Sequence, residues 1–196
     1  LVVNPATGIT SAKDLVAKAK AAPSKYSYGS VALGSASHLT MEMFKSAAGF
    51  RMTHIPYRGA GPAVTDLIAG NIDAGFFVPG NVQQFVKEGR LRLLATSGSK
   101  RFASTPDIPT LIELGYKDFE ATSWIGFLAP GGTPAPIIDR YNREIVKILN
   151  QPDIRKRLIE MEFDIVASSP KQFSDWIRTE IGRWGKVIKD TGAKAE

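Results

Sequence analysis

Along roughly the first two thirds of the chain, apolar positions switch repeatedly between a period near two and a period near 3.6, which predicts short strands separated by helices. Leu1–Asn4 reads as a short apolar strand. Ser11 caps a helix over Ala12–Ala22, with Asp14 in capping-box position, Leu15, Val16 and Ala19 as its stripe, and Pro23 as its stop. Tyr26–Ser30 alternates as a strand. Ser35 or Ser37 then opens a helix with Leu39, Met43, Phe44 and Ala47 on one face and Gly49 at its end. Met52–Tyr57 is the next strand, and Pro62 takes the first position of a helix whose inward residues are Val64, Leu67 and Ile68. Asp73–Val78 and Leu91–Ser97 are predicted strands around a helix over Pro79–Lys87, in which Val82, Phe85 and Val86 face inward. Thr110–Leu114 is a short predicted helix closed by Gly115. Such alternation implies βαβ units, a mostly parallel sheet, and right-handed crossovers with helices on both faces.

Beyond Glu120 the pattern changes. Ala121–Ala129 is a strand-like run that ends at Pro130-Gly131-Gly132. Three helices follow. Pro134–Asn150 carries a stripe that includes Ile137, Tyr141, Ile145 and Ile148. Asp153–Met161 turns Ile154, Leu158 and Met161 inward. The last helix starts at Ser169-Pro170, with Gln172 completing a capping box and Phe173, Trp176, Ile181, Trp184 and Ile188 in a wide apolar face. Phe163–Val166 is a brief predicted strand. The expected division is therefore residues 1–121, an α/β lobe, and residues 122–196, a crossover plus helices.

Composition narrows the chemistry. The chain has 196 residues, 43% of them hydrophobic and 22% charged, as an ordinary globular protein does. It has no cysteine, so thiolate and disulfide chemistry are excluded. The net charge is +6, but it is spread along the chain, which points to solubility or mild steering of anions and not to a nucleic-acid footprint. The uncharged stretch 121–138 contains Pro130, Gly131, Gly132, Pro134 and Pro136, a set that no membrane helix tolerates. Two histidines, sixteen residues apart, do not make a metal site, and no metal or other cofactor is expected. Neither a Walker motif nor a G-x-G-x-x-G after a strand is present.

Three strand-to-helix turns are built from small residues. Gly34-Ser35-Ala36-Ser37 offers free amides at a helix start and two hydroxyls, which suit a carboxylate. Tyr57-Arg58-Gly59 repeats the logic and adds a guanidinium. Phe77-Val78-Pro79 is the third. In an open α/β sheet such turns share the carboxyl edge of the strands, where ligands bind. Trp124 is a candidate wall of the same cleft. Each of these also has a plainer reading, as a capped helix, a solvated cation or a core aromatic. Ser37 and His38 suggest a hydrolase as a competing reading, but no nearby acid and no G-x-S-x-G elbow accompany them.

These turns, in this order, also carry a resemblance. The chain resembles the Bug-type periplasmic solute-binding proteins, receptors of tripartite tricarboxylate transporters. The resemblance rests on Leu1-Val2-Val3-Asn4-Pro5, Gly34-Ser35-Ala36-Ser37-His38-Leu39, His54-Ile55-Pro56-Tyr57-Arg58-Gly59-Ala60-Gly61-Pro62-Ala63, Leu93-Leu94-Ala95-Thr96-Ser97, Trp124-Ile125-Gly126-Phe127-Leu128-Ala129-Pro130 and Trp184-Gly185-Lys186-Val187-Ile188. It implies a type II periplasmic-binding-protein fold (a Venus flytrap) that holds a small organic anion between lobes, a periplasmic location, a membrane permease as partner, and no catalysis. It also implies a ligand site of Gly34, Ser35, Ala36, Ser37, Tyr57, Arg58, Gly59, Phe77, Val78 and Trp124. The family carries a longer N-terminal part that builds most of the first lobe. On that basis the chain is expected to be a piece of a longer protein, or to pair with itself through uncovered helix stripes. Val78-Pro79 stands where the family often has an acidic or amide residue, which leans toward a less polar ligand tail. A regulator's effector-binding domain has a similar fold and is a third reading.

Overall fold

The computed structural model describes residues 1–23, 25–102 and 104–193. Two compact units are present: Leu1–Ser123 together with the stretch from Val187, and Trp124–Lys186.

The first unit is built on a five-stranded sheet. Its strands are β1 (Val2–Val3), β2 (Ser27–Ser30), β3 (Thr53–Pro56), β4 (Ala74–Gly75) and β5 (Arg92–Leu93), in the order β3-β2-β4-β1-β5. β2 runs parallel to β3 and β4, whereas β1 runs antiparallel to both β4 and β5. The sheet is therefore mixed, with its parallel pairing at the β2 centre, where βα connections lead into α1 (Ala12–Ala21), α2 (Ala36–Ala48), α3 (Ala60–Ala69) and α4 (Pro79–Lys87). The predicted strands Asp73–Val78 and Leu91–Ser97 contract to two residues each, the stretches over which a neighbouring strand stays in register. A separate parallel bridge joins Thr96 to Thr110. The predicted helix at Thr110–Leu114 is a single turn. Thr110 and Glu113 cap each other reciprocally, at 2.7 and 3.0 Å, but Gly115 at φ +100° ends the turn at once.

Helix starts follow the capping signals. Ser11 Oγ accepts from the Asp14 amide at 3.0 Å, and Ser35, not Ser37, caps α2. The stripe of α1 is buried as the pattern predicts. In α2 the buried set includes Leu39, Met41, Phe44 and Ala48, while Ala47 is exposed. One core cluster joins Val2, Val64, Leu67, Ile72, Val82 and Leu91. Elsewhere in the same unit, the rings of Phe50, Phe76, Tyr116 and Phe119 stand edge-on around Phe44, with centroids 5.1–6.2 Å away. Asn4 ties β1 to α3. Its Nδ2 donates to the carbonyls of Leu67 (2.8 Å) and Ile68 (3.1 Å), while its Oδ1 accepts the Ala6 amide at 2.8 Å.

The second unit holds α5 (Ala135–Leu149), α6 (Pro152–Glu160) and most of α7 (Pro170–Thr191). Ser169 and Gln172 form the predicted capping box, at 2.9 and 3.3 Å. Among the described residues, neither Ala121–Ala129 nor Phe163–Val166 forms a strand, since no partner strand pairs with either. The helix stripes are largely uncovered. No residue of α5 or α6 is buried, and Met161, expected to face inward, is half exposed. Ile125, Phe127 and Leu128 are each more than 70% exposed, so several large apolar side chains in this unit face solvent.

Candidate anion-binding loops

The β2–α2 turn is drawn into a compact cradle by its own hydroxyls. Ser30 is fully buried, and its Oγ reaches the Ala32 carbonyl at 3.0 Å. Ser35 Oγ donates to the same carbonyl at 2.6 Å and accepts the His38 amide at 3.4 Å. Ser37 Oγ accepts the Val31 amide at 3.0 Å and lies 3.0 Å from Ser35 Oγ. Gly34 adopts φ +70°, which a side chain would resist, and its amide donates to His38 Nδ1 at 3.0 Å. The amides of Ala36 and Ser37, at the positive end of α2, have no hydrogen-bond partner among the described residues.

The β3–α3 turn is held directly against this one. β2 and β3 pair in parallel with Ser30 opposite Pro56, so both turns leave the same sheet edge. The Tyr57 amide donates to the Ser30 carbonyl and the Gly59 amide to the Val31 carbonyl, both at 2.9 Å. Gly59, at φ +110° and ψ 173°, starts α3 with no side-chain cap. Arg58 is exposed and has no hydrogen bond or ion pair among the described residues. The structure thus brings Gly34, Ser35, Ala36 and Ser37 next to Tyr57, Arg58 and Gly59.

Tyr57 is anchored at both ends. Its hydroxyl donates to Asp66 Oδ2 at 2.8 Å, and Asn71 Nδ2 donates to the other carboxylate oxygen at 3.1 Å. Burial, with the Asp66 bond assisting, pushes the phenol up to about 12, and the hydrogen bonds from Tyr57 and Asn71 hold the Asp66 carboxyl below its ordinary value. The ring packs on the core cluster, and so does Phe77. Gly29 and Gly75 are register partners on β2 and β4, and these two rings lie over them. A Cβ at Gly75 would run into the Phe77 ring, and one at Gly29 would run into Ile72 Cδ1 and lie 3.3 Å from the Tyr57 ring. Val78 is half exposed and caps α4 through its backbone only. Trp124 belongs to the second unit, where its indole stands edge-on to Phe173 at 5.5 Å.

Beneath the first turn lies a polar stack that the pattern of residues does not announce. The rings of His38 and His54 are parallel, with centroids 4.0 Å apart, and Tyr28 stacks on His54 at 4.8 Å. His54 Nε2 lies 2.7 Å from Ser30 Oγ. Contrary to expectation, His38 has an acid beside it. Glu42, one helical turn on, places Oε1 4.0 Å from Nε2. The same oxygen takes the Tyr28 hydroxyl and the Lys45 ammonium, the latter at 2.6 Å. The i,i+4 spacing of His38 and Glu42 was the available signal, whereas the register that sets Tyr28 opposite His54 is decided by the sheet. Burial lowers both histidines, His54 to about 4.

A hydrolytic relay is not assembled here. Ser37 Oγ is engaged with Val31 and Ser35, His38 Nδ1 is engaged with the Gly34 amide, and the serine that meets an imidazole, Ser30, is fully buried. Among the described residues, no group of three or more His, Asp or Glu side chains could hold a metal, and no helix is long and apolar enough to cross a membrane.

Known proteins share both the sequence pattern and the fold of this chain. Residues 1–193 match the model of the tripartite tricarboxylate transporter family receptor. The chain is 37% identical to protein BugT of Bordetella pertussis over 194 residues, covering 99% of this chain and 60% of that one. Among solved structures, an R. palustris protein with adipate superposes with a TM-score of 0.92 at 31% identity, covering all of this chain and 65% of the other. The periplasmic binding protein BugD superposes at 0.86 with 26% identity, again over all of this chain and 66% of the other. The chain thus spans about 60% of the length of BugT and about two thirds of these structures. With a matching family model over nearly its whole length and an α/β fold shared with periplasmic binding proteins, the chain belongs to the TctC family of tripartite tricarboxylate transporter receptors.

Proposed function

We propose that the chain is the anion-gripping part of an extracytoplasmic solute receptor. In this reading the ligand is a small organic carboxylate, and a membrane permease receives it. The free amides of Ala36 and Ser37 hold one carboxylate at the start of α2, with the Ser37 hydroxyl turning its proton from Ser35 to the ligand while the Ser35 hydroxyl keeps donating to the Ala32 carbonyl. Arg58 and the Gly59 backbone form the facing wall, with Tyr57 as its apolar floor and Phe77 and Val78 shaping the rest of the site. The task is reversible capture by hinge closure, not bond making. One observation carries this reading: an exposed arginine, unpaired among the described residues, stands beside a hydroxyl-lined helix start, because the Gly59 amide is tied to Val31. That a 31%-identical relative was solved with adipate supports a dicarboxylate in particular.

Thermal unfolding in the presence of adipate, succinate, citrate and glutamate, against chloride at equal ionic strength, tests it. Ligand at a hundredfold excess over Kd stabilises a protein by about 2.7 kcal/mol, a readily measured rise in Tm. At least one acid is expected to raise Tm saturably, and Arg58→Ala to weaken that acid tenfold or more. Equal shifts for wild type and Arg58→Ala would remove Arg58 from the site, and no shift with any acid would sink the carboxylate reading for this chain. The uncovered stripes of α5–α7 further support self-association. Sedimentation velocity should then show a concentration-dependent dimer, and a monomer at all concentrations would refute it.

A further inference from the structure

We infer that His38 is a positioning residue for the loop read above as the anion site: its bare Nδ1 latches the Gly34 amide, and a proton on that nitrogen unlatches the Ala32–Ser35 turn. The inference rests on the carboxylate reading only for its consequence on binding; the latch itself is a matter of geometry.

Nδ1 accepts the Gly34 N–H at 3.0 Å, so the proton of the neutral ring sits on Nε2, toward Glu42. Protonation would set two N–H groups against each other across that distance, and His38 is only 5% exposed, so water does not readily replace the lost acceptor. The second imidazole reinforces the first. If His54 Nε2–H donates to Ser30 Oγ, the Ser30 hydroxyl is free to donate to the Ala32 carbonyl, and both observed contacts are satisfied. The stacked rings therefore hold the turn at two points, Ala32 and Gly34. The turn in turn positions Val31, whose carbonyl holds Gly59 and whose amide holds Ser37.

The groups facing the pair come from three elements. α2 supplies Glu42 and Lys45, β2 supplies Tyr28, and Asp190 and Thr191 line a surface cavity with Glu42 and Lys45. Glu42 favours the charged imidazole, but its carboxylate is shared with Lys45 and Tyr28. Burial opposes the charge and outweighs that attraction, so His38 titrates below its ordinary value. A proton on either ring also repels one on the other across 4.0 Å. At neutral pH the latch is closed, and acid opens it.

The test uses the full 196-residue chain, labelled with nitrogen-15 and free of ligand. Ring-nitrogen shifts of His38 and the hydrogen-exchange protection factor of the Gly34 amide are followed from neutral to acid pH. Nδ1 should read as the bare nitrogen at neutral pH, and Gly34 protection should fall at least tenfold with the midpoint of the His38 ring. His38→Asn, whose Oδ1 can replace Nδ1 as acceptor but takes no proton, should keep Gly34 protected with no such midpoint. His38→Leu should leave it unprotected at every pH. A proton on Nδ1 at neutral pH, or Gly34 protection indifferent to the His38 midpoint, overturns the inference. Adipate titration at neutral pH separates the two readings. Tenfold or greater weakening in His38→Leu, with binding retained in His38→Asn, links the latch to the site. A pH-coupled Gly34 amide in a chain that binds no adipate upholds the latch and removes the adipate site.

Discussion

Gly59 and Gly61 lie two residues apart and present opposite backbone demands. Gly59 stands at φ +110° and ψ 173°, a region open to glycine and costly for any L side chain, whereas Gly61 lies within α3 and is exposed. A Cβ at either position would meet nothing within 4 Å, so neither substitution is confounded by a clash. For Gly59→Ala the strain is about 1–3 kcal/mol. The loss of unfolded-chain freedom returns about 0.4–1 kcal/mol, so a net destabilisation of roughly 1–2 kcal/mol is expected. Gly61→Ala pays no such strain and should stabilise by up to about 1 kcal/mol. For a chain of this size each kcal/mol moves Tm by about 2–4 °C, so the two variants should lie several degrees apart on opposite sides of wild type. Urea unfolding followed by far-UV circular dichroism is the suitable assay, because it reads helix content directly and the residues of the first unit include no tryptophan. Should Gly59→Ala prove as stable as wild type, the strained start of α3 would be wrong. Equal losses in both variants would mean that the cost comes from contacts and not from backbone conformation.

Asn4→Ala removes the donor to two α3 carbonyls and the acceptor for Ala6, so a loss of about 1–3 kcal/mol is expected; a change within 0.5 kcal/mol, the usual range for a surface substitution, would mean that water replaces these bonds. The low value of His54, about 4 against an ordinary 6.5, means that the unfolded chain binds more protons than the folded one between those limits. Stability should therefore fall as pH drops from 6.5 toward 4 and this contribution should then level off. His54→Gln should flatten that slope, and an unchanged slope in the variant would assign it to other groups.

How much of this was legible in the residues depends on the range of the interaction concerned. Helices α1 and α7 begin where Ser11 and Ser169 cap them, because a cap is settled within three or four residues. The small-residue turns could be named as candidates for the same reason: glycine, serine and a following helix start are local features. The length of β4 and the direction of β1 could not be read in this way, since both depend on which strand lies alongside, and β1 entered the sheet antiparallel between two distant segments. The second unit shows the limit from the other side, for its stripes have the right period and yet remain largely uncovered.

The site divides along the same line. Resemblance to the Bug-type proteins pointed to the family, and residue type and order made Ser35, Ser37, Arg58 and Gly59 candidates for an anion site, because anion binding at a helix start needs small residues, hydroxyls and a cation in short compass. Only the tertiary structure decided that Gly59 is tied to Val31, that the Tyr57 hydroxyl is spent on Asp66, and that His38 and His54 stack beneath the turn. Those contacts join β2 to β3 and each turn to its neighbour, and pairing across strands is chosen by burial and register over the whole sheet, which no local stretch of residues encodes.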